Sequence, residues 1–187
     1  MPRNILFDLI APLYDRLISP RQPEDLLDVL KLPMEGKMLD ASGGTGRVSA
    51  TLEASVGSMV LNDLSHPMLV QAHEKGLKAT QAQAHHLPFP DDSFERVMMV
   101  DALHHIGHQK EAVKELLRVL KPGGRLVIEE PDINLFQVKL VALGEMLMLM
   151  GSHFLTPDQI KTCIEKQGYT AQIQSDGSFA AWIIVDK

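Results

Sequence analysis

Leu39-Asp40-Ala41-Ser42-Gly43-Gly44-Thr45-Gly46 decides the reading of this 187-residue chain. Lys37-Met38-Leu39-Asp40 is a short apolar run of the buried-strand kind, glycines crowd the positions after it, and Arg47 to Ala54 reads as a helix. A strand that turns on glycines into a helix brings backbone N–H groups close to a bound ligand. The glycine spacing narrows the choice of ligand only so far. Counting from Gly44 and Gly46, the third small residue of the dinucleotide fingerprint falls on Ser49, neither Gly nor Ala, and no Gly-Lys-Ser/Thr follows for a P-loop. On these residues alone a plain tight strand-to-helix turn stays open.

Downstream the same grammar repeats. Met59-Val60-Leu61-Asn62, Ala79 to Gln83, Arg96 to Val100 and Arg125 to Ile128 read as further buried strands, separated by helical stretches at Pro67 to Lys75 and Lys110 to Leu120. Alternation of this kind predicts an α/β, doubly wound, mostly parallel sheet with helices on both faces. The tail differs. Thr156-Pro157-Asp158-Gln159 combines an N-cap Thr, a Pro at the first helical position and a capping-box Gln; Gly168 ends that helix. Tyr169 to Gln174 and Phe179 to Val185 flank the turn Ser175-Asp176-Gly177-Ser178, a C-terminal antiparallel hairpin that brings the sheet to seven strands. Residues 1–23 read as a short helical arm. The whole chain, 1–187, reads as one domain.

Composition excludes several classes. Lys and Arg number 18 against 24 Asp and Glu, a formal charge of −6, so phosphate-backbone binding to nucleic acid is not expected. A single cysteine, Cys163, excludes an internal disulfide framework and any Cys-rich zinc module, and fits a reducing, cytoplasmic compartment. Asp8 falls where a signal peptide would continue its apolar run. No stretch reaches the roughly 18 uncharged apolar residues of a membrane span; Leu140 to Met150 is interrupted by Glu145.

The second strand ends in Asp63, where a ribose diol would lie at the carboxyl edge of the sheet. A carboxylate there serves nicotinamide and adenosyl cofactors alike, and it also fits a helix-cap turn ahead of Ser65-His66-Pro67. Five blocks then occur in order. They are Asp40 to Gly46, Asn62-Asp63-Leu64-Ser65 with Met68-Leu69, Ala84-His85-His86-Leu87-Pro88-Phe89-Pro90-Asp91-Asp92-Ser93-Phe94, Ala102-Leu103-His104-His105-Ile106, and Leu117 to Leu126 with Lys121-Pro122-Gly123-Gly124. Together they resemble the class I S-adenosylmethionine-dependent methyltransferases, whose fold is Rossmann-like, in the branch that includes the ubiquinone/menaquinone-biosynthesis enzymes. The resemblance runs from about Phe7 to the C-terminus.

The resemblance implies S-adenosyl-L-methionine as cofactor, S-adenosyl-L-homocysteine as product and a small-molecule acceptor. Asp40, Ala41, Ser42, Gly43, Gly44 and Gly46 would hold the methionyl part, Asp63 the ribose hydroxyls, and Leu64 with Met68 one face of the adenine. Gln83, Ala84 and His85 would border the adenine's polar edge, Asp101 would lie near the methionyl group, and Tyr14 would close over the cofactor from the arm. Two positions depart from the family pattern: Ser42 replaces the first loop glycine and Gln83 replaces an acid, though its amide oxygen still accepts a hydrogen bond.

Methyl transfer to a hydroxyl or carbon acid calls for a base titrating near neutrality, and His104 and His105, just past the fourth strand, are the candidates. The same histidines also read as caps of the following turn or as packing beneath the cofactor. No metal site is expected, because no carboxylate or cysteine completes a ligand spacing around the histidines. Residues 131–155 form the acceptor-side insertion that the resemblance implies. Within it, Asn134 to Met150 reads as a helix with Asn134, Gln137 and Glu145 on one narrow face and Leu135, Leu140, Leu143, Leu147 and Met150 on the broad remainder. Met146, Met148 and Met150 would suit a shape-tolerant apolar pocket, as would Met68 beside the cofactor. The readings for this helix are an ordinary core, a dimer interface (the chain being monomer or homodimer), contact with an apolar, quinone-like or lipid-like acceptor, and peripheral membrane contact. Two other functions stay in play. A NAD(P)-dependent oxidoreductase conflicts with Ser49 and with the lack of a Tyr-x-x-x-Lys around Tyr14 or Tyr169; a non-catalytic S-adenosylmethionine-binding or interaction protein is motivated by Ser42 and Gln83.

Overall fold

The protein's structure, a computed structural model, describes residues 8–9, 11–17, 23–147, 152–175 and 179–187. The arm contributes a 3-10 turn, Ala11–Leu13, and the helical turn α1, Tyr14–Leu17. Then follow α2 (Pro23–Leu30), β1 (Met34–Ala41), α3 (Ser49–Leu52), β2 (Val56–Asp63), α4 (His66–Glu74), β3 (Lys78–Gln81) and β4 (Phe94–Val100). The second half is α5 (Gln109–Val119), β5 (Leu120–Pro131), α6 (Phe136–Leu147), α7 (Pro157–Glu165), β6 (Gln172–Ser175) and β7 (Ala180–Asp186). The strands form a seven-stranded sheet in the order β3-β2-β1-β4-β5-β7-β6. Strands β1 to β5 pair in parallel; β7 runs antiparallel to both β5 and β6, the hairpin foreseen in the tail.

Strand side chains alternate between faces, and the two halves of the core follow that period. Leu39, Val97, Leu126 and Val185 stand in register across β1, β4, β5 and β7, under Val113, Leu116 and Leu117 of α5 and Ile160 and Ile164 of α7. One residue along, Leu61, Met98, Val127 and Ile184 face the other way, toward Leu26, Val29 and Leu30 of α2 and Leu69 and Ala72 of α4. Asp40 sits in this second row, paired in register with Leu61 and Met98, so a carboxyl group occupies a place that the pattern gives to an apolar side chain.

The tail helix starts as its sequence foretells. The Gln159 N–H donates to Thr156 Oγ1 at 3.2 Å and the Thr156 N–H to Gln159 Oε1 at 2.8 Å, a complete capping box. Three expectations change. The helix after the glycine loop is only α3 followed by a 3-10 turn, Glu53–Ser55, because the buried Ser49 side chain is turned inward onto Asp40. Strand β6 begins at Gln172 rather than Tyr169, whose ring packs on the core and lies under Lys187 Nζ. The core-helix reading of α6 is also corrected: Val138 is fully buried, yet Phe136, Leu140 and Leu143 are 74%, 55% and 49% exposed. A helical wheel finds such a stripe but not what it faces. Met148, Met150 and the turn residues 176–178 lie outside the described residues. Among those described, no helix is long and apolar enough to cross a membrane.

Candidate active site

Strand order reverses between β1 and β4, which leaves a crevice at their carboxyl ends where open α/β sheets bind ligands. The glycine loop enters it from β1. Gly44 and Gly46 adopt φ of 57° and 72°, and Ser42, with a side chain, adopts φ 60°. Gly43 is needed for a different reason: a Cβ there would lie 2.4 Å from Asp40 Oδ2 and 2.7 Å from Leu61 Cδ1. The loop's N–H groups are held from within. Ser42 donates to Asn62 Oδ1 at 3.3 Å, Gly43 to the Asn62 carbonyl at 3.1 Å, Gly44 to Asp63 Oδ2 at 2.9 Å and Gly46 to the Gly43 carbonyl at 2.9 Å. Asn62, fully buried, also donates from Nδ2 to the Ala82 carbonyl at 2.8 Å, so one side chain joins the glycine loop to the segment after β3.

Two adjoining cavities open along this edge, both lined by Tyr14, Ser42, Gly44 and Asp101. The larger, of about 170 Å³, brings those residues together with Asp63, Leu64, Met68, Gln83, Ala84, His85 and His105. The smaller, of about 60 Å³, adds Asp40 and Gly43. Two residues expected at the methionyl end do not reach either wall. Ala41 is buried in the core, and Gly46 is the place where the loop passes under Leu77, whose Cδ1 would lie 2.2 Å from any Cβ. Asp8, Ser65, Ala82, Ala102 and Ile106 complete the larger wall, and Thr45, Arg47, Val48 and Val100 the smaller. Most of these adjoin quoted motif residues; Asp8 had no signal in the sequence.

The arm is pinned over the loop by polar contacts. Asp15 accepts from Thr45 Oγ1 at 2.5 Å and pairs with Lys75 Nζ at 2.7 Å; Asp8 accepts from Ser65 Oγ at 2.6 Å. This holds Tyr14 in both cavity walls. Burial, reinforced by the Asp101 carboxylate, pushes the Tyr14 phenol up to about 12, so it stays a neutral hydrogen-bond donor. Burial in its apolar row pushes Asp40 up to about 7, against the pull of the Ser49 hydroxyl that donates to it at 2.6 Å. Asp63 is raised too, again by burial, although the Ser65 and Gly44 amides donate to it. The crevice thus gathers Asp40, Asp63 and Asp101 with one guanidinium, Arg47, an environment that gains from a cationic ligand.

His104 and His105 lie, as expected, just past β4, in a 3-10 turn, Leu103–His105; their ring centroids are 4.0 Å apart. His104 is 2% exposed and lines neither cavity; its Nδ1 lies 2.7 Å from Glu130 Oε2 and its ring stacks on Phe154 at 4.4 Å. His105 does line the larger cavity, with Nδ1 3.1 Å from Ser152 Oγ, but burial and the neighbouring His104 push it down to about 3. His104 is thus not presented to either cavity, and His105 is pushed below the near-neutral range wanted of a base. Among the described residues no three His, Cys, Asp or Glu side chains converge to hold a metal.

Comparison with known proteins agrees with this geometry. Residues 39–128 match the family model described as a methyltransferase domain. The ubiquinone/menaquinone biosynthesis C-methyltransferase UbiE of Pseudomonas aeruginosa is 37% identical over 130 residues, covering 62% of this chain and 51% of that enzyme. The chain therefore spans about half the length of the curated relatives it matches. A SAM-dependent methyltransferase from Thermotoga maritima superposes with a TM-score of 0.80 at 22% identity, over 99% of this chain and 100% of the other. The [4+2]-cyclase SpnF superposes at 0.79 with 15% identity, over 98% and 94% of the two chains. Residues 39–128 thus match a methyltransferase domain, the chain is similar in sequence to the UbiE C-methyltransferases over 62% of its length, and it has the fold of S-adenosylmethionine-dependent methyltransferases.

Proposed function

We propose that this chain is an S-adenosylmethionine-dependent methyltransferase acting on a small apolar acceptor, with C-methylation of a quinol-type ring as its specific reaction. The observation that carries the cofactor assignment is the electrostatic character of the crevice. A nicotinamide dinucleotide would bring a pyrophosphate to the glycine loop, where the amides of Ser42, Gly43, Gly44 and Gly46 already donate internally and Asp40, Asp63 and Asp101 would repel it. A sulfonium carrying an ammonium suits the same carboxylates. The acceptor assignment draws on the UbiE relatives and on the apolar wall that Ala102 and Ile106 give the larger cavity beyond the residues assigned to the cofactor.

When bound, S-adenosylmethionine supplies an already activated methyl electrophile and leaves S-adenosylhomocysteine. The chain's own part is to bind, align and exclude water, effects that together supply roughly 7–11 kcal/mol of a barrier. Asp63 would take the ribose hydroxyls, Leu64 and Met68 an adenine face, Gln83 to His85 its polar edge, and the Ser42 to Gly44 loop with Asp101 the methionyl part. Tyr14, neutral and held by the arm, would donate a hydrogen bond to a ligand in the crevice. His105, kept neutral near pH 7 by its burial, would offer the acceptor a hydrogen-bonding ring rather than a proton sink.

Thermal-shift measurements with S-adenosylmethionine, S-adenosylhomocysteine, NAD and NADP test the reading. Stabilisation by both adenosyl ligands and by neither nicotinamide nucleotide is the expected outcome; stabilisation by a nicotinamide nucleotide alone would overturn it. The depressed His105 favours one second reading, a cofactor-binding protein without transfer activity. That reading requires adenosyl stabilisation with no methyl transfer to lipid or quinol extracts.

A further inference from the structure

Glu130 ends β5 with a carboxylate that is 3% exposed and fully engaged. Its Oε1 accepts the N–H groups of Ala102 at 2.9 Å and Leu103 at 2.7 Å; its Oε2 accepts the His104 N–H at 3.2 Å and lies 2.7 Å from His104 Nδ1. Four contacts use about all the lone-pair directions that a carboxylate offers. The turn so gripped, Leu103–His105, carries Ala102, His105 and Ile106 into the larger cavity. The far side of that turn is tied as closely to the chain that returns after α6. The His153 N–H donates to the His104 carbonyl at 2.7 Å, Phe154 stacks on the His104 ring at 14°, and Ser152 Oγ meets His105 Nδ1. Gln109 at the start of α5 closes the ring, donating from Nε2 to the carbonyls of Leu103 at 3.0 Å and His153 at 2.6 Å.

Both roots of the segment that carries α6 are thus anchored on one turn, Glu130 at its entry and Ser152 to Phe154 at its exit. The cofactor end of the crevice is held by a different set, Asn62, Asp63 and Ser49. We propose that Glu130 is a positioning residue for the acceptor half of the site, acting through His104 to fix the cavity wall of Ala102, His105 and Ile106 against the segment bearing α6. It touches neither substrate nor cofactor; its carboxylate is what makes wall and segment one body. The proposal rests on the methyltransferase reading for its functional half and on the hydrogen-bond network for its structural half.

Glu130→Gln separates the two halves. The amide still accepts from two N–H groups, but its NH2 would confront the His104 backbone N–H with another donor and drive the His104 ring to the tautomer whose Nδ1 accepts. Hydrogen–deuterium exchange is expected to quicken by about tenfold or more at Ala102 to His104 and at His153, with the amides of Ser42 to Gly44 unchanged. Isothermal titration with S-adenosylhomocysteine is expected to give a Kd within about twofold of the wild type. With tritiated S-adenosylmethionine and naphthohydroquinone as the probe acceptor, KM for the probe is expected to rise by about tenfold while kcat falls less. His104→Asn is the second variant: its amide can keep the donor to Glu130 while losing the stack on Phe154, so exchange should quicken at His153 and stay slow at Leu103. Faster exchange confined to the turn, or a loss of cofactor affinity matching the loss of transfer, would overturn the proposal. Absence of transfer to the probe by the wild type would count against the acceptor reading alone, the exchange data still deciding the role of Glu130.

Discussion

Single residues at the crevice hold conformations and charges that a typical fold avoids. Ser42 and Asp101 both sit at positive φ, 60° and 53°, at the ends of adjacent strands and in the walls of both cavities. A side chain in the left-handed region costs about 1 kcal/mol or more, partly offset because glycine is freer in the unfolded chain. Ser42→Gly is therefore expected to raise Tm by about 1–3 °C in the absence of ligand, read by calorimetry; a lower Tm would show that the hydroxyl, not the backbone, decides the site. The departure at Ser42 was legible in the sequence as an oddity of the loop, whereas its φ was not. Asp40 and His105 make opposite demands on pH. Asp40 is raised by burial from 3.8 to about 7, so the folded state binds more protons than the unfolded and stability falls as pH rises through that window, Asp63 adding in the same direction. His105 is lowered from 6.5 to about 3, so its contribution is present above 6.5 and is lost as pH falls toward 3. The two oppose each other over most of the acid range. Asp40→Asn should lessen the fall toward pH 7, leaving the part due to Asp63, and leave the acid-side loss, while wild-type affinity for S-adenosylmethionine should rise from pH 6 to 8 as Asp40 ionises beside a cation. Calorimetry and titration across pH check both signs.

At the scale of elements, what came through in the sequence were features written locally. The capping box of α7 needs only Thr156, Pro157 and Gln159, and it formed as read. The strands were legible because both faces of the sheet are covered, which makes each a continuous apolar run; only their ends shifted. Features fixed by distant partners were not legible. His104 and Glu130 are 26 positions apart, and nothing near His104 reveals that its ring is committed to a buried carboxylate. Helix α6 shows the same limit, since its apolar stripe says nothing of its surroundings. Val138 and Leu140 now separate these roles: Val138→Ala should cost about 1–2 kcal/mol of stability, whereas Leu140→Ser should stay within about 0.5 kcal/mol while weakening transfer to an apolar acceptor. Chemical denaturation measures both. An equally large loss for Leu140→Ser would mean that the helix is held by a surface that its exposure conceals.

Across the whole molecule, one sheet carries two apolar faces, a crevice at its switch point and a wall turn that both roots of the α6 segment share. On the proposed reading the cofactor would rest on β1, β2 and the segment after β3, and the acceptor on the turn after β4. A doubly wound, mostly parallel sheet and a ligand crevice at its carboxyl edge could be expected from alternating strands and the glycine loop; the strand order could not. Three of the four aspartates of the two walls, Asp40, Asp63 and Asp101, could be expected there too; the fourth, Asp8, is brought in only by the fold of the arm. The central claim is that this acid-lined crevice holds a sulfonium and delivers its methyl group. Incubation with methyl-tritiated S-adenosylmethionine and a demethylated quinol, followed by extraction and chromatography, tests it most directly. The account expects label in the quinol and S-adenosylhomocysteine in equal amount; full recovery of S-adenosylmethionine that binds yet is never consumed, with every quinol and lipid extract supplied, would contradict it.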